Sequence, residues 1–181
     1  ADNHGISSVI VRRTDNGQLI GSDSTSPYEI LWNTLGLANG PYTLEAYVLD
    51  VGFNNVTERI DIHVDNTPPI VSWISPPGGA TVSGTVTLSA SGADPDYALL
   101  KVEFFLDDVL IGKSQQSLSP YSLMWDTTGA VNGSHTLKVV ATNVAGLTAS
   151  SSRTVTIGNS SGGGTNCKFV NGRLRCLLKT E

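Results

Sequence analysis

Two stretches of this 181-residue chain are near-copies. SPYEILWNTLGLANGPYTL (26–44) and SPYSLMWDTTGAVNGSHTL (119–137) align without a gap at an offset of 93, with 10 of 19 positions identical. The likeness extends outward. VIVRRTDNGQLIG (9–21) matches VEFFLDDVLIG (102–112), the first having a turn two residues longer, and IDIHVDN (60–66) matches RTVTIGN (153–159). A chain made of two copies of one pattern must obey the same local rules twice, so any assignment of elements has to hold in both.

Within each copy the apolar residues alternate with period two, the mark of strands with one buried face. In the second copy Leu100, Val102, Phe104 and Leu106 share a face, as do Tyr121, Leu123 and Trp125, then Leu137, Val139 and Ala141, then Val155 and Ile157. The first copy repeats this with Val9 and Val11; Tyr28, Ile30 and Trp32; Leu44, Ala46 and Val48; Ile60, Ile62 and Val64. Asp15-Asn16-Gly17, Asn39-Gly40, Asp107-Asp108 and Asn132-Gly133 supply turns. No window has helical period. The expected fold is all-β, with antiparallel sheets packed face to face.

The second copy has two additional strands ahead of the shared set, IVSWI (70–74) and TVTLSAS (85–91), joined through PPGGA. The first copy starts at ADNHGISSV, which aligns after those strands. It is therefore expected to be a half-sandwich with an open edge and an uncovered apolar face, which is unstable alone. Either the chain was cut from a longer one or another segment supplies the missing strands. The expected organisation is a partial domain over 1–66, a complete one over 67–159, and a Ser/Gly linker with a hairpin tail over 160–181. The linker Asp65-Asn66-Thr67-Pro68-Pro69 is stiffened by its prolines.

The pattern VEFFLDDVLIG…SPYSLMWDTTGAVNGSHTLKVVATNVAGLTASSSRTVTI resembles the bacterial immunoglobulin-like repeats of secreted and cell-surface proteins, and TPPIVSWISPPGGATVSGTVTLSASGAD resembles their first two strands. The resemblance spans 67–159 fully and 1–66 partly. It implies tandem immunoglobulin-like β-sandwiches, the first lacking its two N-terminal strands. It also implies a secreted or cell-surface, non-catalytic spacer or binding module of the kind found in adhesins or behind the catalytic domains of secreted peptidases and glycosidases.

The charges narrow the partners. Residues 1–158 carry 15 acidic and 7 basic side chains, whereas 159–181 carry four basic against one acidic. An acidic body offers no footprint for nucleic acid, and the basic tail suits an acidic protein surface. No run of about 18 apolar residues is present, so no membrane span is expected. No GxSxG or HExxH motif surrounds His4, His63 or His135, so no catalytic residue is assigned. Carboxylates that a hard cation such as calcium could use are Asp65 at the linker, Asp94 with Asp96, and Asp107 with Asp108. Aspartates are also standard turn formers, and plain turns are the preferred reading. Trp32 and Trp125 sit at equivalent core positions and read as packing residues. A sugar platform would have to use Trp73, Tyr97, Phe53 or Phe105.

Both cysteines lie in CKFVNGRLRC (167–176). Asn171-Gly172 suits a two-residue type I′ turn, which pairs Val170 with Arg173, Phe169 with Leu174, Lys168 with Arg175 and Cys167 with Cys176. The cysteines then fall on a non-hydrogen-bonded pair, where a disulfide fits, and a disulfide implies an oxidising, extracytoplasmic setting. One hairpin face is apolar (Cys167, Phe169, Leu174, Cys176) and the other mostly basic (Lys168, Val170, Arg173, Arg175). The apolar face needs cover. The ordinary cover is the end of the second domain. The more specific one is the strand-deficient first copy of another molecule, which would give a head-to-tail, heterologous assembly. The functional expectation is thus an extracellular structural or adhesion module that assembles head to tail. The competing expectations are an accessory region of a secreted hydrolase and a glycan-binding module.

Overall fold

The structure is a computed structural model that describes residues 5–160, together with the backbone of 166–170 and 173–177. The described residues form fourteen strands and no helix. They divide into two compact units. The first comprises Ala1–Pro68 with Asp94–Ala98 and Asn143–Leu147; the second comprises Pro69–Ala93, Leu99–Thr142 and Thr148–Glu181.

The first unit holds β1 (Ile6–Arg13), β2 (Leu19–Asp23), β3 (Gly40–Asp50) and β4 (Asn55–Val64) in one antiparallel sheet of order β2-β1-β3-β4. Alternation decides its faces. Val9 and Val11 lie opposite Val48 and Ala46, and Val48, Ala46 and Leu44 lie opposite Val56, Glu58 and Ile60. These residues share one side of the sheet, where Glu58 interrupts an otherwise apolar surface.

The second unit holds β5 (Ile70–Ser75), β6 (Thr81–Val82), β7 (Thr85–Ala93), β8 (Leu99–Leu106), β9 (Val109–Lys113), β10 (Tyr121–Asp126), β11 (Gly133–Asn143) and β12 (Thr148–Ile157). They make two sheets, β10-β7-β5 and β6-β12-β11-β8-β9. Trp73, Leu88, Ala90, Tyr121 and Trp125 from the first sheet meet Val102, Phe104, Leu137, Val139, Ala141, Val155 and Ile157 from the second in one buried core. Trp73 and Phe104 approach to 5.6 Å between ring centroids across the two layers. The short strand β6 pairs in parallel with the end of β12 and covers that edge, a device the sequence pattern did not reveal. The alternation also steps at the start of β8. Leu99, not Leu100, packs on the core, and Leu100 is exposed. The same place in β1 shows a register shift between Ile6 and Ser8.

The tail strands β13 (Asn166–Val170) and β14 (Arg173–Leu177) pair antiparallel with Cys167 opposite Cys176, Phe169 opposite Leu174 and Val170 opposite Arg173. This is the register that a turn at Asn171-Gly172 dictates.

Candidate functional site

The two copies differ most in what covers their sheets. Leu137, Val139 and Phe104 are fully buried, and Val102 is 2% exposed. At the equivalent positions Leu44, Ala46, Val11 and Val9 are only half-buried, and Ile60 and Val56 are exposed. Among the described residues of the first unit, Val64 is the only apolar side chain that counts as buried. The physical cause is the absence, among the described residues of this unit, of counterparts to β5, β6 and β7. The face is left as an apolar groove of ≈ 280 Å³, walled by Val11, Ile30, Trp32, Leu44, Ala46 and Ile60.

Residues 28–32 show what that absence does locally. Their counterpart is β10, which pairs with β7 through six residue pairs from Tyr121↔Ala90 to Asp126↔Thr85. In the first unit no strand is formed there. The segment nevertheless keeps its seat. A Cβ added at Gly21 would stand 2.8 Å from Ile30 Cγ2, and one added at Gly112 would stand 2.9 Å from Leu123 Cδ1. The repeated LIG glycine thus lets the crossing segment lie close against the sheet in both copies. What residues 28–32 lack is a neighbour on their other side.

A second constellation lies at the β4 end of the first unit. Asp65, Asp94 and Asp96 each bring a carboxylate oxygen to within 4.8 Å of the others. Asp107 and Asp108 do not join them: they form the β8–β9 turn in left-handed conformation, φ 46° and 65°. Two amides bind the cluster. Asn39 Nδ2 donates to Asp96 Oδ2 (2.7 Å), Thr67 Oγ1 (2.7 Å) and Asp65 Oδ1 (3.3 Å). Asn143 Nδ2 donates to Asp65 Oδ2 (2.8 Å), Asp94 Oδ2 (3.0 Å) and the Thr67 carbonyl (3.3 Å). Each amide is oriented by a backbone N–H on its oxygen, from Asn66 and Leu147 respectively. Asp94 and Asp65 also act as turn formers, accepting from the N–H groups of Asp96, Tyr97 and Thr67. Burial pushes the Asp94 carboxyl up, but the hydrogen bonds from Tyr97, Asn143 and Asp96 together outweigh it and hold it below the usual carboxylate range. Burial, aided by the charges of Asp65 and Asp96, raises the Tyr97 hydroxyl.

The roles of Asn39 and Asn143 were not read from the sequence, although a signal for the first was present. Asn66 N–H donates to Asn39 Oδ1 and Asn66 Nδ2 donates to the Thr34 carbonyl; 93 residues on, Asn159 makes the same bonds to Asn132 and Thr127. The repeated Asn and Thr positions therefore clamp the last strand of each copy to the loop after its Trp.

Asp107 and Asp108 have local partners. His135 Nδ1–H donates to Asp107 Oδ2 (2.6 Å) and Nε2–H to the Val131 carbonyl (2.8 Å), while Lys138 binds Asp108 and lies 5.3 Å from the Phe105 ring centroid. Both ring nitrogens face acceptors, so the imidazolium fits best, and the Asp107 hydrogen bond raises the His135 pKa. The Thr136 N–H, with His135, lowers that of Asp107. Because His135 is raised in the fold, its contribution is complete below its unfolded pKa and is lost as pH rises through its folded pKa. An NMR titration should show the His135 pKa falling toward its ordinary value in Asp107→Asn; an unchanged value would contradict this pairing.

The other predicted residues are dispersed. Trp73 is a core residue, its indole N–H donating to the Ser151 carbonyl. Tyr97 stacks edge-on with His63 at 5.2 Å, and Phe53 is an isolated exposed ring. The Cys167–Cys176 bond and the side chains of Lys168, Phe169, Arg173, Leu174 and Arg175 lie outside the described residues; only their backbone register is described.

A model of the bacterial Ig domain family matches residues 1–46 and 69–139. Among solved structures, the fibronectin(III)-like modules of Clostridium thermocellum CbhA are similar at 23% identity and TM-score 0.65, covering 88% of this chain and 82% of theirs. The endo-beta-1,4-mannanase of Thermotoga petrophila is similar at 21% identity and TM-score 0.47, over 53% of this chain and 21% of the mannanase. The Bacteroides ovatus protein SGBP-B, solved with a mixed-linkage heptasaccharide, matches at 15% identity and TM-score 0.32, over 86% of this chain and 41% of its own. No curated protein sequence matches.

Proposed function

The chain belongs to the bacterial Ig domain family, and from that premise we propose that it is a non-catalytic structural module of an extracellular or cell-surface bacterial protein, joining copies of itself head to tail through a disulfide-stapled C-terminal hairpin. The observation that carries this reading is the apolar face that the described residues of the first unit leave uncovered, set against the covered core of the second. A sheet whose apolar side lacks a second layer gains by acquiring one, since each fully buried Val, Leu or Ile contributes roughly 1.5–3 kcal/mol. A heterologous contact of this kind propagates, because every copy carries both the acceptor and the donor. Light scattering on the oxidised chain should give species larger than the 19.0 kDa monomer, reduced in Cys176→Ser. A strict monomer at about 100 μM would remove the assembly reading.

A second reading attaches to Asp65, Asp94 and Asp96. Three carboxylates, supplemented by Thr67 oxygens and water, fit the oxygen-ligand demand of calcium. Calcium held there would tie the linker to the Asp94–Ala98 segment. At a hundredfold excess over its Kd the ion would add about 2.7 kcal/mol of stability. Titration calorimetry should detect binding in the wild type and none in Asp94→Asn; no heat in the wild type would discard the site.

A further inference from the structure

The chain contains four Asn-Gly pairs, at 16–17, 39–40, 132–133 and 171–172, the last outside the described residues. Such a pair can react with itself. Glycine has no side chain to shield its nitrogen, which can attack the carboxamide carbon of the asparagine before it. The structure treats the three described pairs differently. Asn39 has its carboxamide pinned at both ends, Nδ2 donating to Asp65, Thr67 and Asp96 and Oδ1 accepting from the Asn66 N–H. Asn132 is pinned in the same way, Nδ2 donating to the Asn159 carbonyl (2.8 Å) and Oδ1 accepting from the Asn159 N–H (2.7 Å). Every one of these partners is at least 26 residues away in sequence.

Asn16 is bound only to its own turn. Its Oδ1 accepts from the Gln18 N–H at 2.9 Å, two residues on, which is an Asx turn. The ring closed by that bond contains both Asn16 Cγ and Gly17 N, so the carboxamide is folded over the nitrogen that would attack it. The same N–H stands on the oxygen where negative charge develops as Gly17 N adds. Asn16 Nδ2 and the Gly17 N–H donate to no other described residue, and a Cβ built on Gly17 would meet nothing within 4 Å. Exposure does not separate the pairs, since Asn16 and Asn132 are both exposed. Asn33 separates the two requirements. It forms the same turn, Oδ1 accepting from the Leu35 N–H at 3.0 Å, but the attacking nitrogen would belong to Thr34, whose branched side chain crowds it. Among the described residues, only Asn16 combines the turn with a following glycine.

We propose that Asn16 is a site of spontaneous covalent modification. Gly17 N gives up its proton and bonds to Asn16 Cγ; the Cγ–Nδ2 bond breaks, and Nδ2 leaves as ammonia with that proton. Water then opens the cyclic imide, at Cγ to give aspartate or at the main-chain carbonyl to give isoaspartate. The net change consumes water and releases ammonia. Aspartate keeps an acceptor for the Gln18 N–H. Isoaspartate routes the main chain through the former side chain, lengthening a turn that Arg13 straps by its bonds to Asp15 and Gln18. Either product adds a negative charge next to Asp15. The pinned Asn39 and Asn132 stay amides. The site does not depend on the head-to-tail reading.

The test ages the full chain in mildly alkaline heavy-oxygen water and reads each asparagine by peptide mapping, since conversion takes an oxygen from the solvent. In the folded chain Asn16 should convert at least about tenfold faster than Asn39 or Asn132, because each hydrogen bond that must open first lowers the reactive population roughly three- to tenfold. Asn33 should also be slow, held back by Thr34. In urea the pinning is lost, and the rates of Asn16, Asn39 and Asn132 should converge while Asn33 stays slow. Thr34→Gly should bring Asn33 up to the Asn16 rate in the folded chain. Asn16 converting no faster than the pinned pairs in the folded chain, or keeping its full lead in urea, overturns the proposal. So does an inert Asn33 in folded Thr34→Gly, since the turn and the glycine would then not suffice.

Discussion

Leu137→Ala is expected to destabilise its unit by about 2–5 kcal/mol, whereas Leu44→Ala, the same change at the equivalent position, should cost about 1 kcal/mol. Leu137 is fully buried in a core closed on both sides. Removing its side chain loses transfer energy and leaves a cavity that the surrounding residues fill only partly. Leu44 is half-buried on a face with no second layer. Water reaches the space left by truncation, so little cavity cost arises. Two units need not unfold together, so the losses should be read by hydrogen exchange in β11 and β3 separately rather than from one melting curve. Equal losses would mean the first face is covered as well as the second.

Asn143→Asp should be the most damaging polar substitution, costing about 3–5 kcal/mol at neutral pH without added cations. Asn143 is fully buried, and its Nδ2 lies 2.8 Å from Asp65 Oδ2 and 3.0 Å from Asp94 Oδ2. Aspartate keeps the acceptor for the Leu147 N–H but turns this donor into a third acceptor facing two carboxylates. The first copy has aspartate here: Asp50 accepts from the Asn54 N–H at 2.8 Å, as Asn143 does from Leu147. Only the donor half of the amide is particular to Asn143. Urea unfolding should show the loss, and Asn143→Leu should lose less because it adds no charge. If the aspartate variant matched wild type, the two carboxylates would not depend on that amide.

The repeat made much of this legible. It identified the strands, their facing residues and the shortfall of the first copy, because period-two alternation and turn chemistry are local properties that both copies obey. The tail register was readable for the same reason: Asn171-Gly172 centres it, and Cys167 does pair with Cys176 along the backbone. What was not legible depends on distant partners. Trp32 and Trp125 have the same phase, yet Trp125 is 7% exposed and Trp32 remains half-buried, resting edge-on against Tyr42 at 6.0 Å. The difference lies in β7, which has no counterpart among the described residues of the first unit. Residues 28–32 read as a strand like β10, but a strand needs a neighbour to pair with. Asp65, Asp94 and Asp96 could be chosen as carboxylates near a joint, whereas their convergence depends on Asn39, from a loop, and Asn143, at the end of β11, far apart in sequence. Asp107 and Asp108 had the same composition and found His135 and Lys138 instead.

The central claim is that the described residues of the two units share one strand pattern but cover only the second unit's sheet on its apolar face. Native-state hydrogen exchange at high dilution tests it most directly, by comparing β11 with β3, both eleven-residue strands at equivalent places. The account predicts that β11 amides exchange only through unfolding of the whole second unit, while β3 amides exchange at least a hundredfold faster, a gap of about 2.7 kcal/mol at 1.36 kcal/mol per decade. Equal protection of the two strands in the dilute monomer would contradict it.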